Sequence, residues 1–261
     1  MVLSRPSSDA AGIAMGRFAS TVAYYESARP PYGAVFFAGV ALELGLDGRQ
    51  RLLDVGAGPG ILAIGFARFC REVVGIDPEP GMVEAARAAA ERGGVAVRFI
   101  EGRFENGAAS LGAFDIVTIG RAIHWLDPKP ARAALECALA AHGKVLVCGA
   151  TSAKDGRNPW LEAFNAVRDR WRGDRPSRDH DTFFADGHFT RTGTIRVEST
   201  YTVPVERLVD RVLSMSTLSS ERLGDEVPVM KSAMREALAP FATKEMIEDV
   251  VEARAAVFQR A

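Results

Sequence analysis

The sequence predicts an α/β fold built on a doubly wound, mostly parallel sheet of seven strands. Short apolar runs alternate with amphipathic segments between residues 51 and 148, as in parallel sheets covered by helices on both faces. A glycine-rich turn follows the first apolar run, and the alternation ends near residue 150. The right-handed crossover of parallel strands then places helices on both sides of the sheet.

Seven segments have the composition of strands. They are residues 52–55, 72–76, 95–100, 114–119, 144–148, 194–203 and 246–258. The sixth segment alternates apolar and polar residues, as an antiparallel strand does. The seventh is rich in valine and alanine and suits either a helix or an edge strand that closes the sheet, and we favour the strand.

Helical patterns fill most of the intervals between these strands. They cover residues 61–70, 81–92, 130–141, 205–214 and 227–238. A further pattern over residues 18–44 is broken at Arg29-Pro30-Pro31, because proline is excluded from helix interiors, so we expect two short helices there. The chain therefore divides into a flexible N-terminus (1–17), a core with N-terminal helices (18–150) and a lobe (151–261) that adds a lid and the closing strands.

The composition is that of a soluble globular protein. Hydrophobic residues make up 48% and charged residues 25% of the 261 positions, and the net charge is −1. This balance argues against a domain that binds the nucleic-acid backbone, which usually carries a basic excess. No apolar run reaches the ~20 residues of a membrane span, and residues 1–19 lack the apolar stretch of a signal peptide. Cys70, Cys137 and Cys148 are isolated, so we expect reduced thiols and a cytoplasmic monomer or homodimer.

Residues 54–60 form the glycine-rich turn and read Asp-Val-Gly-Ala-Gly-Pro-Gly. Glycine tolerates φ > 0 and has no Cβ to hold a ligand away from the backbone, and the helix that follows offers unpaired N–H groups. The turn is therefore typical of a nucleotide-type cofactor site. A dinucleotide fingerprint needs its third glycine at position 61, which is Ile61, so the D-x-G-x-G-x-G spacing argues against NAD.

An acidic residue, Asp77, ends the second predicted strand and precedes Pro78. Ligands of open parallel sheets bind at the carboxyl ends of the strands, where a carboxylate can accept hydrogen bonds from both hydroxyls of a ribose. The alternative is an N-cap of the following helix, a position that aspartate also favours. The glycine turn on the preceding strand favours ribose binding.

Two further loops leave the same end of the sheet. Residues 101–105, Glu-Gly-Arg-Phe-Glu, follow the third strand and offer groups for contact with an adenine, although a solvated loop is the alternative. The fourth strand leads into residues 120–125, Gly-Arg-Ala-Ile-His-Trp. His124 is a candidate base or orienting group beside the reacting atom, and a structural hydrogen-bonding role is its alternative.

These segments together resemble the class I S-adenosylmethionine (SAM) dependent methyltransferases, and within them the methyltransferase type 11 group and its trans-aconitate methyltransferase-like branch. Three motifs resemble those of the branch, namely Tyr25-x-x-x-Arg29-Pro30-x-Tyr32, Ile123-His124-Trp125-Leu126 and Leu213-Ser214-Met215-Ser216. The resemblance covers most of residues 18–150 and, loosely, residues 190–261. It implies a Rossmann-like fold with a helical lid inserted after the fifth strand. It also implies SAM as cofactor, S-adenosylhomocysteine as product and no metal.

The resemblance assigns each matched residue to a part of SAM. Gly56 and Gly58 let the backbone approach the methionyl part, with Asp54 and Ala57 in the same motif. Tyr25, Arg29 and Tyr32 close over this part, and Arg29 is the partner of its carboxylate. Gly120 and Arg121 contact it by backbone and side chain. Asp77 and Pro78 hold the ribose. The adenine lies among Met82, Arg103, Phe104 and Glu105. Many relatives have a small acidic or amide residue where Arg103 stands, so the role of its side chain does not follow from the resemblance.

The resemblance further implies a small-molecule methyl acceptor, with an oxygen of a carboxylate or hydroxyl as the favoured target. Its pocket is expected among Tyr32, His124, Trp125, Trp160 and Met215. Residues 151–240 are expected to form a lid whose aromatic wall comprises Trp160, Phe164, Trp171, Phe183 and Phe184. The alternative is that these aromatic residues are the core of the lobe itself. His124 would orient or deprotonate a hydroxyl, whereas a carboxylate is already ionised and needs no base.

Other patterns narrow the chemistry. The [DN]-P-P-[YF] element of enzymes that methylate amino groups does not follow strand four, and no Pro-Cys nucleophile or radical-SAM cysteine triad occurs. The four histidines have no metal-ligand spacing. Residues 168–178 hold five arginines interleaved with aspartates, which indicates a solvated helix face or, alternatively, an anion-steering lid. Two rival classes remain, a nucleotide-dependent oxidoreductase and a non-catalytic SAM-binding protein.

Overall fold

The computed structural model describes residues 28–172, 180–185, 188–215 and 218–261. Its first half alternates helices and strands in the order α1 (Gly33–Leu44), β1 (Arg51–Val55), α2 (Ile61–Phe66), β2 (Glu72–Asp77), α3 (Pro80–Arg92), β3 (Arg98–Glu101), α4 (Phe104–Gly107), β4 (Phe114–Gly120), α5 (Pro128–Ala138) and β5 (Leu139–Ser152). Short 3-10 turns follow three of these elements, at Ala67–Phe69, Ala108–Ser110 and Ile123–Trp125.

The second half contributes the last two strands and a group of helices. Its elements are α6 (Leu161–Trp171), α7 (His180–Phe183), β6 (Phe189–Pro204), α8 (Val205–Leu213), α9 (Ser220–Leu223), α10 (Val227–Leu238) and β7 (Met246–Arg260). Lys244 and Glu245, both with positive φ, form the tight turn into β7. Because β6 and β7 are long, this half extends well beyond the short central strands.

All seven strands belong to one sheet in the order β3-β2-β1-β4-β5-β7-β6. Strands β1 to β5 pair in parallel, and β7 is antiparallel to both β5 and β6. The strand order reverses between β1 and β4, because the chain continues from β1 to β2 and β3 on one side of the sheet and from β4 to β5 on the other. This switch point places a crevice at the carboxyl ends of β1 and β4. The predicted doubly wound, mostly parallel α/β fold is confirmed.

Several predicted boundaries shift. The seventh segment is a strand, but the expectation that it forms an edge is wrong, because β7 lies between β5 and β6. Strand β5 begins at Leu139, inside the predicted helix 130–141. A Cβ at Gly143 would lie 2.9 Å from the Phe114 carbonyl oxygen, so this glycine lets β5 run close to β4 there. The first of the two expected N-terminal helices falls outside the described residues.

Three hydrophobic clusters hold the layers together. The first packs α5 on one face of the sheet, and the second packs α1, α2 and α3 on the other. The third joins α6, α8 and α10 to the ends of β6 and β7, so the lobe has a core of its own. The longest described helix, α3, has 13 residues, and no described helix has the length and apolar character needed to cross a membrane.

Candidate active site

Three glycines in left-handed conformations form the turn after β1. Their φ angles are +64° at Gly56, +53° at Gly58 and +84° at Gly60, a region that costs a residue with a Cβ about 1–2 kcal/mol. The backbone N–H groups of Gly56 and Ala57 both donate to the Ile76 carbonyl oxygen, at 2.9 and 3.1 Å. These two bonds fix the turn to the end of β2.

The three glycines differ in what surrounds them. A Cβ at Gly60 would lie 2.7 Å from the Phe99 ring, and a Cβ at Gly56 would lie 2.5 Å from the Ala122 methyl group. These two glycines therefore permit close packing within the protein. A Cβ at Gly58 would meet no atom within 4 Å. Gly58 faces open space, where a ligand can approach the backbone.

Asp54 lies beneath the turn and is 1% exposed. The Thr118 hydroxyl donates to its Oδ1 at 2.8 Å, and the Ala63 N–H donates to its Oδ2 at 3.2 Å. Burial raises the pKa of Asp54 to about 7, although these two hydrogen bonds lower it, and the charge of Asp77 raises it further. No sequence pattern pointed to Thr118, whose hydroxyl is buried in β4. A cation held nearby would favour the ionised form of Asp54.

Asp77 connects the end of β2 to the glycine turn. Its Oδ2 accepts the N–H of Gly58 at 2.8 Å, and its Oδ1 accepts the N–H of Glu79 at 3.0 Å. Burial raises the pKa of Asp77, and the two hydrogen bonds oppose that increase. A carboxylate has about four lone-pair positions, so each oxygen keeps capacity for a ligand hydroxyl.

A cavity that is partly open to solvent lies at the carboxyl ends of β1 and β4. Its wall combines the glycine turn, the start of α2 and the residues that follow β4, and comprises Tyr32, Asp54, Gly56, Ala57, Gly58, Pro59, Ile61, Leu62, Gly120 and Arg121. The structure thus brings together seven of the predicted site residues. Pro59, Ile61 and Leu62 were missed, although their position directly beside the glycine turn is a signal for them.

Arg121 closes one side of this cavity. Its φ of +56° is unusual for a non-glycine residue. Its Nη2 donates to the carbonyl oxygens of Pro30 and Ala150, at 2.6 and 3.3 Å, and its guanidinium lies 4.9 Å from the centroid of the Tyr32 ring. Strained backbone that is held by several contacts is common at ligand sites.

The segment before α1 contributes one cavity residue. Tyr32 is 3% exposed and lines the cavity. Arg29 instead donates from Nη2 to the Ser214 carbonyl oxygen at 2.7 Å and is not among the lining residues. Its guanidinium is therefore directed at the lobe. Tyr25 lies outside the described residues.

The residues expected around the adenine fall into two groups. Met82 is 4% exposed at the start of α3, and the buried Glu105 Oε1 has no hydrogen-bond partner among the described residues and lies 3.6 Å from Arg103 Nη2. These two remain suited to an adenine. Phe104 is 3% exposed within the first hydrophobic cluster, where its ring anchors α4 to the core. Pro78 is exposed.

His124 and Trp125 lie in the 3-10 turn Ile123–Trp125 that leaves β4. Their ring centroids are 5.0 Å apart, with the planes tilted by 43°. Trp125 is 37% exposed. Neither residue lines the cavity, but both follow the cavity residue Arg121 within four positions. The ring of Trp125 is therefore accessible to solvent beside the cavity.

The prediction that Trp160 lines the acceptor pocket needs correction. Trp160 is 1% exposed in the third cluster, and its indole N–H donates to the Glu248 carbonyl oxygen at 2.8 Å. Helices α6, α8 and α10 pack around this large side chain, so it serves the core of the lobe. Five other aromatic or apolar wall candidates also pack in hydrophobic clusters, namely Phe164, Trp171, Met215, Phe183 and Phe184.

The arginine-rich segment is only partly described. Arg168 pairs with Asp169 at 2.7 Å, and Arg172 lies 4.0 Å from the same carboxylate. These pairs favour a solvated helix face over an anion-steering surface for this part of α6. Residues 173–178 fall outside the described residues.

The strand order and the cavity at the β1 and β4 ends define a class I, Rossmann-like protein. A family model for a methyltransferase domain matches residues 52–142. An uncharacterized methyltransferase of Mycobacterium tuberculosis is 30% identical over 200 residues, which cover 76% of this chain and 76% of the relative. The chain therefore belongs to the class I SAM-dependent methyltransferases.

Solved structures with low sequence identity have the same fold. Two are SAM-dependent methyltransferases in complex with S-adenosylhomocysteine. The one from Geobacter sulfurreducens is 16% identical with a TM-score of 0.53, and the shared region covers 94% of this chain and 98% of that chain. The one from Thiobacillus denitrificans is 18% identical with a TM-score of 0.52, and covers 93% and 97%. The rival oxidoreductase and non-catalytic interpretations are not favoured.

Proposed function

We propose that the cavity at the β1 and β4 ends holds the methionyl part of SAM, and that the methyl group passes to an oxygen of a small carboxylate or hydroxyl compound. The observation that carries the proposal is the open space at Gly58, which faces a cavity bounded by Asp54 and Arg121. The resemblance of the sequence to the trans-aconitate methyltransferase-like branch supports a carboxylate acceptor.

The charges around the cavity fit the parts of SAM. Asp54 and Asp77 offer negative charge and free acceptor capacity to the cationic and hydroxyl groups of the cofactor. Arg121 lines the cavity and is the candidate partner for the methionyl carboxylate. Arg29, expected in that role from the resemblance, is directed at Ser214 and is the weaker candidate.

The adenine site is proposed beside Met82 and Glu105. The buried Glu105 Oε1 has no hydrogen-bond partner among the described residues, and an exocyclic amine is a donor that suits it. Met82 offers a buried apolar surface at the start of α3. Asp77, on the strand between β1 and β3, then falls at the ribose.

Bound SAM supplies a methyl group on a sulfonium, which is already activated for transfer. The chain contributes alignment and the exclusion of water. We assign His124 to orienting the acceptor and to removing its proton when the acceptor is a hydroxyl. Trp125 is assigned to the pocket wall, and the helical part of residues 151–240, without strand β6, to a lid over it.

The cofactor assignment is tested by binding. The purified protein is extracted and analysed by mass spectrometry, and isothermal titration calorimetry measures the affinity for SAM and for NAD. We expect co-purified SAM or S-adenosylhomocysteine and binding of SAM alone. The exposed variant Arg157→Gln, which disrupts only surface pairs with Asp155 and Glu198, serves as the control. Binding of NAD, or no binding of saturating SAM, would contradict the assignment.

The acceptor assignment is tested by a screen of small carboxylic acids and phenols, with release of S-adenosylhomocysteine as the readout. For a hydroxyl acceptor, His124→Ala should reduce turnover at least 100-fold, the order of a general-base contribution. For a carboxylate acceptor, the same variant should keep turnover within a few-fold, because no proton has to be removed. Methylation of amines only would contradict an oxygen acceptor.

A further inference from the structure

Arg211 is a buried cation outside the cavity. It lies in the last turn of α8 and is 4% exposed. Its Nη2 donates to Asp249 Oδ2 in β7 at 2.8 Å, its Nη1 to Ser152 Oγ at the end of β5 at 3.0 Å, and its Nε to the Ala28 carbonyl oxygen at 3.0 Å. One side chain therefore joins the lobe, two strands of the sheet and the segment that precedes α1.

The pair with Asp249 is enclosed by protein. Asp249 is 0% exposed, and its Oδ1 has no hydrogen-bond partner among the described residues. Burial lowers the pKa of Arg211, while the charge of Asp249 raises it. Because desolvation offsets the attraction in such pairs, a buried ion pair is weak evidence for stability. What the pair holds in place is the more informative property.

The segment held by Arg211 leads directly to the cavity. We name residues 28–32 the connector. Its first residue, Ala28, accepts the bond from Arg211, and its second, Arg29, donates to Ser214 one turn further along the chain from Arg211. Both partners of the connector, Arg211 and Ser214, therefore lie at the C-terminal end of α8.

The far end of the connector forms part of the cavity wall. Pro30 accepts a hydrogen bond from Arg121 at 2.6 Å, and Tyr32 lines the cavity beside the same guanidinium. Pro30 and Pro31 have fixed φ angles, so the connector is stiff. A displacement at Ala28 is therefore transmitted to Tyr32 and Arg121.

We propose that Arg211 is a positioning residue, which holds the connector so that Tyr32 and Arg121 form the wall of the cofactor cavity. The lobe and the methyl-donor site are thereby coupled through this buried guanidinium. The proposal rests on the assignment of this cavity to SAM. It predicts that a conservative change at Arg211, which lies outside the cavity wall, weakens cofactor binding.

The test compares Arg211→Lys with Met234→Ala by calorimetric titration with S-adenosylhomocysteine. Lysine keeps the positive charge for Asp249. Its compact ammonium cannot reproduce the planar guanidinium that reaches Asp249, Ser152 and the Ala28 carbonyl oxygen together. Met234 is fully buried in the same lobe, so its variant reports loss of stability alone. We expect Arg211→Lys to raise Kd at least 10-fold, and Met234→Ala to leave Kd within twofold of the wild type at a similar fall in Tm.

A spectroscopic readout follows the connector itself. The chain has four tyrosines, so 3-fluorotyrosine labelling gives four ¹⁹F resonances, and Tyr32→Phe identifies the one of interest. Arg211→Lys should shift the Tyr32 resonance, and Met234→Ala should not. If Arg211→Lys does not fold, Ser152→Ala removes one partner of the guanidinium and should raise Kd about threefold.

The outcomes separate the two assignments. Unchanged Kd in Arg211→Lys, or an equal increase in Met234→Ala, would overturn the positioning role. Gly58→Ala tests the cavity independently, because its Cβ enters the open space directly. If wild type and Gly58→Ala bind S-adenosylhomocysteine equally well, the cofactor assignment itself is wrong, whatever Arg211 does.

Discussion

The two ends of strand β1 show opposite ways of treating polar groups. At the amino end, Arg51 is surrounded by acceptors: its Nε donates to Glu72 at 2.7 Å, and its Nη1 donates to the Ala113 carbonyl oxygen at 2.6 Å. Its guanidinium also lies 4.5 Å from the centroid of the Phe114 ring. The polar groups at this end of the strand therefore find their partners within the protein.

The carboxyl end of the same strand is organised around a space. Asp54 is buried with a raised pKa, and in the turn after it a Cβ added at Gly58 would meet no protein atom within 4 Å. Leu52 and Leu53 alone separate Arg51, in the closed network, from Asp54 at the open cavity. Burial and charge alone therefore do not mark a site, because both ends of the strand have them. The site is the end where the protein leaves room for another molecule.

The largest expected effects come from a matched pair of glycine variants. Gly58→Ala should cost about 1–2 kcal/mol of stability from its left-handed φ alone. It should reduce SAM affinity at least 100-fold, because the alanine side chain enters the cavity. Gly60→Ala should cost about 3 kcal/mol, because its Cβ also meets the Phe99 ring at 2.7 Å. Urea unfolding and calorimetry measure the two effects. Equal losses of affinity in the two variants would erase the distinction between the open and packed glycines.

The next effect is a pH dependence from Asp54. Its pKa in the folded protein, about 7, lies above the ordinary aspartate value of 3.8, because the carboxyl group is buried. Its contribution to stability is therefore fully present below pH ~4 and is lost as the pH rises through ~7. The free energy of unfolding of the wild type minus that of Asp54→Asn should fall by about 3 kcal/mol between pH 4 and 8. Urea unfolding without cofactor measures this difference. A difference that does not change with pH would show that the pKa of Asp54 is not raised in the folded protein.

The smallest effect is expected at the closed end. Arg51→Met should lower the free energy of unfolding by about 1–2 kcal/mol, since the side chain is 22% exposed and its hydrogen bonds to Glu72 are partly screened. SAM affinity should stay within twofold of the wild type. Arg98→Met, which removes a longer contact of 3.6 Å with the same Glu72, is the matched control. A change in affinity for either variant would mean that the two ends of the sheet are coupled.

The sequence was most informative where the chemistry requires a particular residue type. The glycine turn and the residues after β4 were predicted because φ > 0 and close approach restrict which residues fit. The cavity accordingly unites Gly56, Gly58, Gly120 and Arg121. Asp77 was placed correctly at the end of β2, because its position follows from the length of a single apolar run.

The packing of aromatic side chains and the position of a strand in the sheet could not be predicted in the same way. Trp160 and Phe104 are aromatic residues near predicted loops, and whether such a ring faces a cavity or a core depends on helices that are distant in sequence. The contact of Trp160 with Glu248 spans 88 residues. Likewise, β7 was recognised as a strand from composition, but its place between β5 and β6 is a property of the whole topology.

That internal position of β7 has a consequence for the order of folding. The last strand in sequence is the one that joins β6 to the rest of the sheet, through pairings such as Ala150↔Ala253 and Val197↔Ala253. Contacts between residues far apart in sequence form slowly, because a long loop must close before they are made. The pairs of β5 with β7 are farther apart in sequence than those of any two parallel strands. We expect the parallel half to become protected from hydrogen exchange first, and the pairing of β5 with β7 to follow as a separate, slower phase in pulse labelling during refolding.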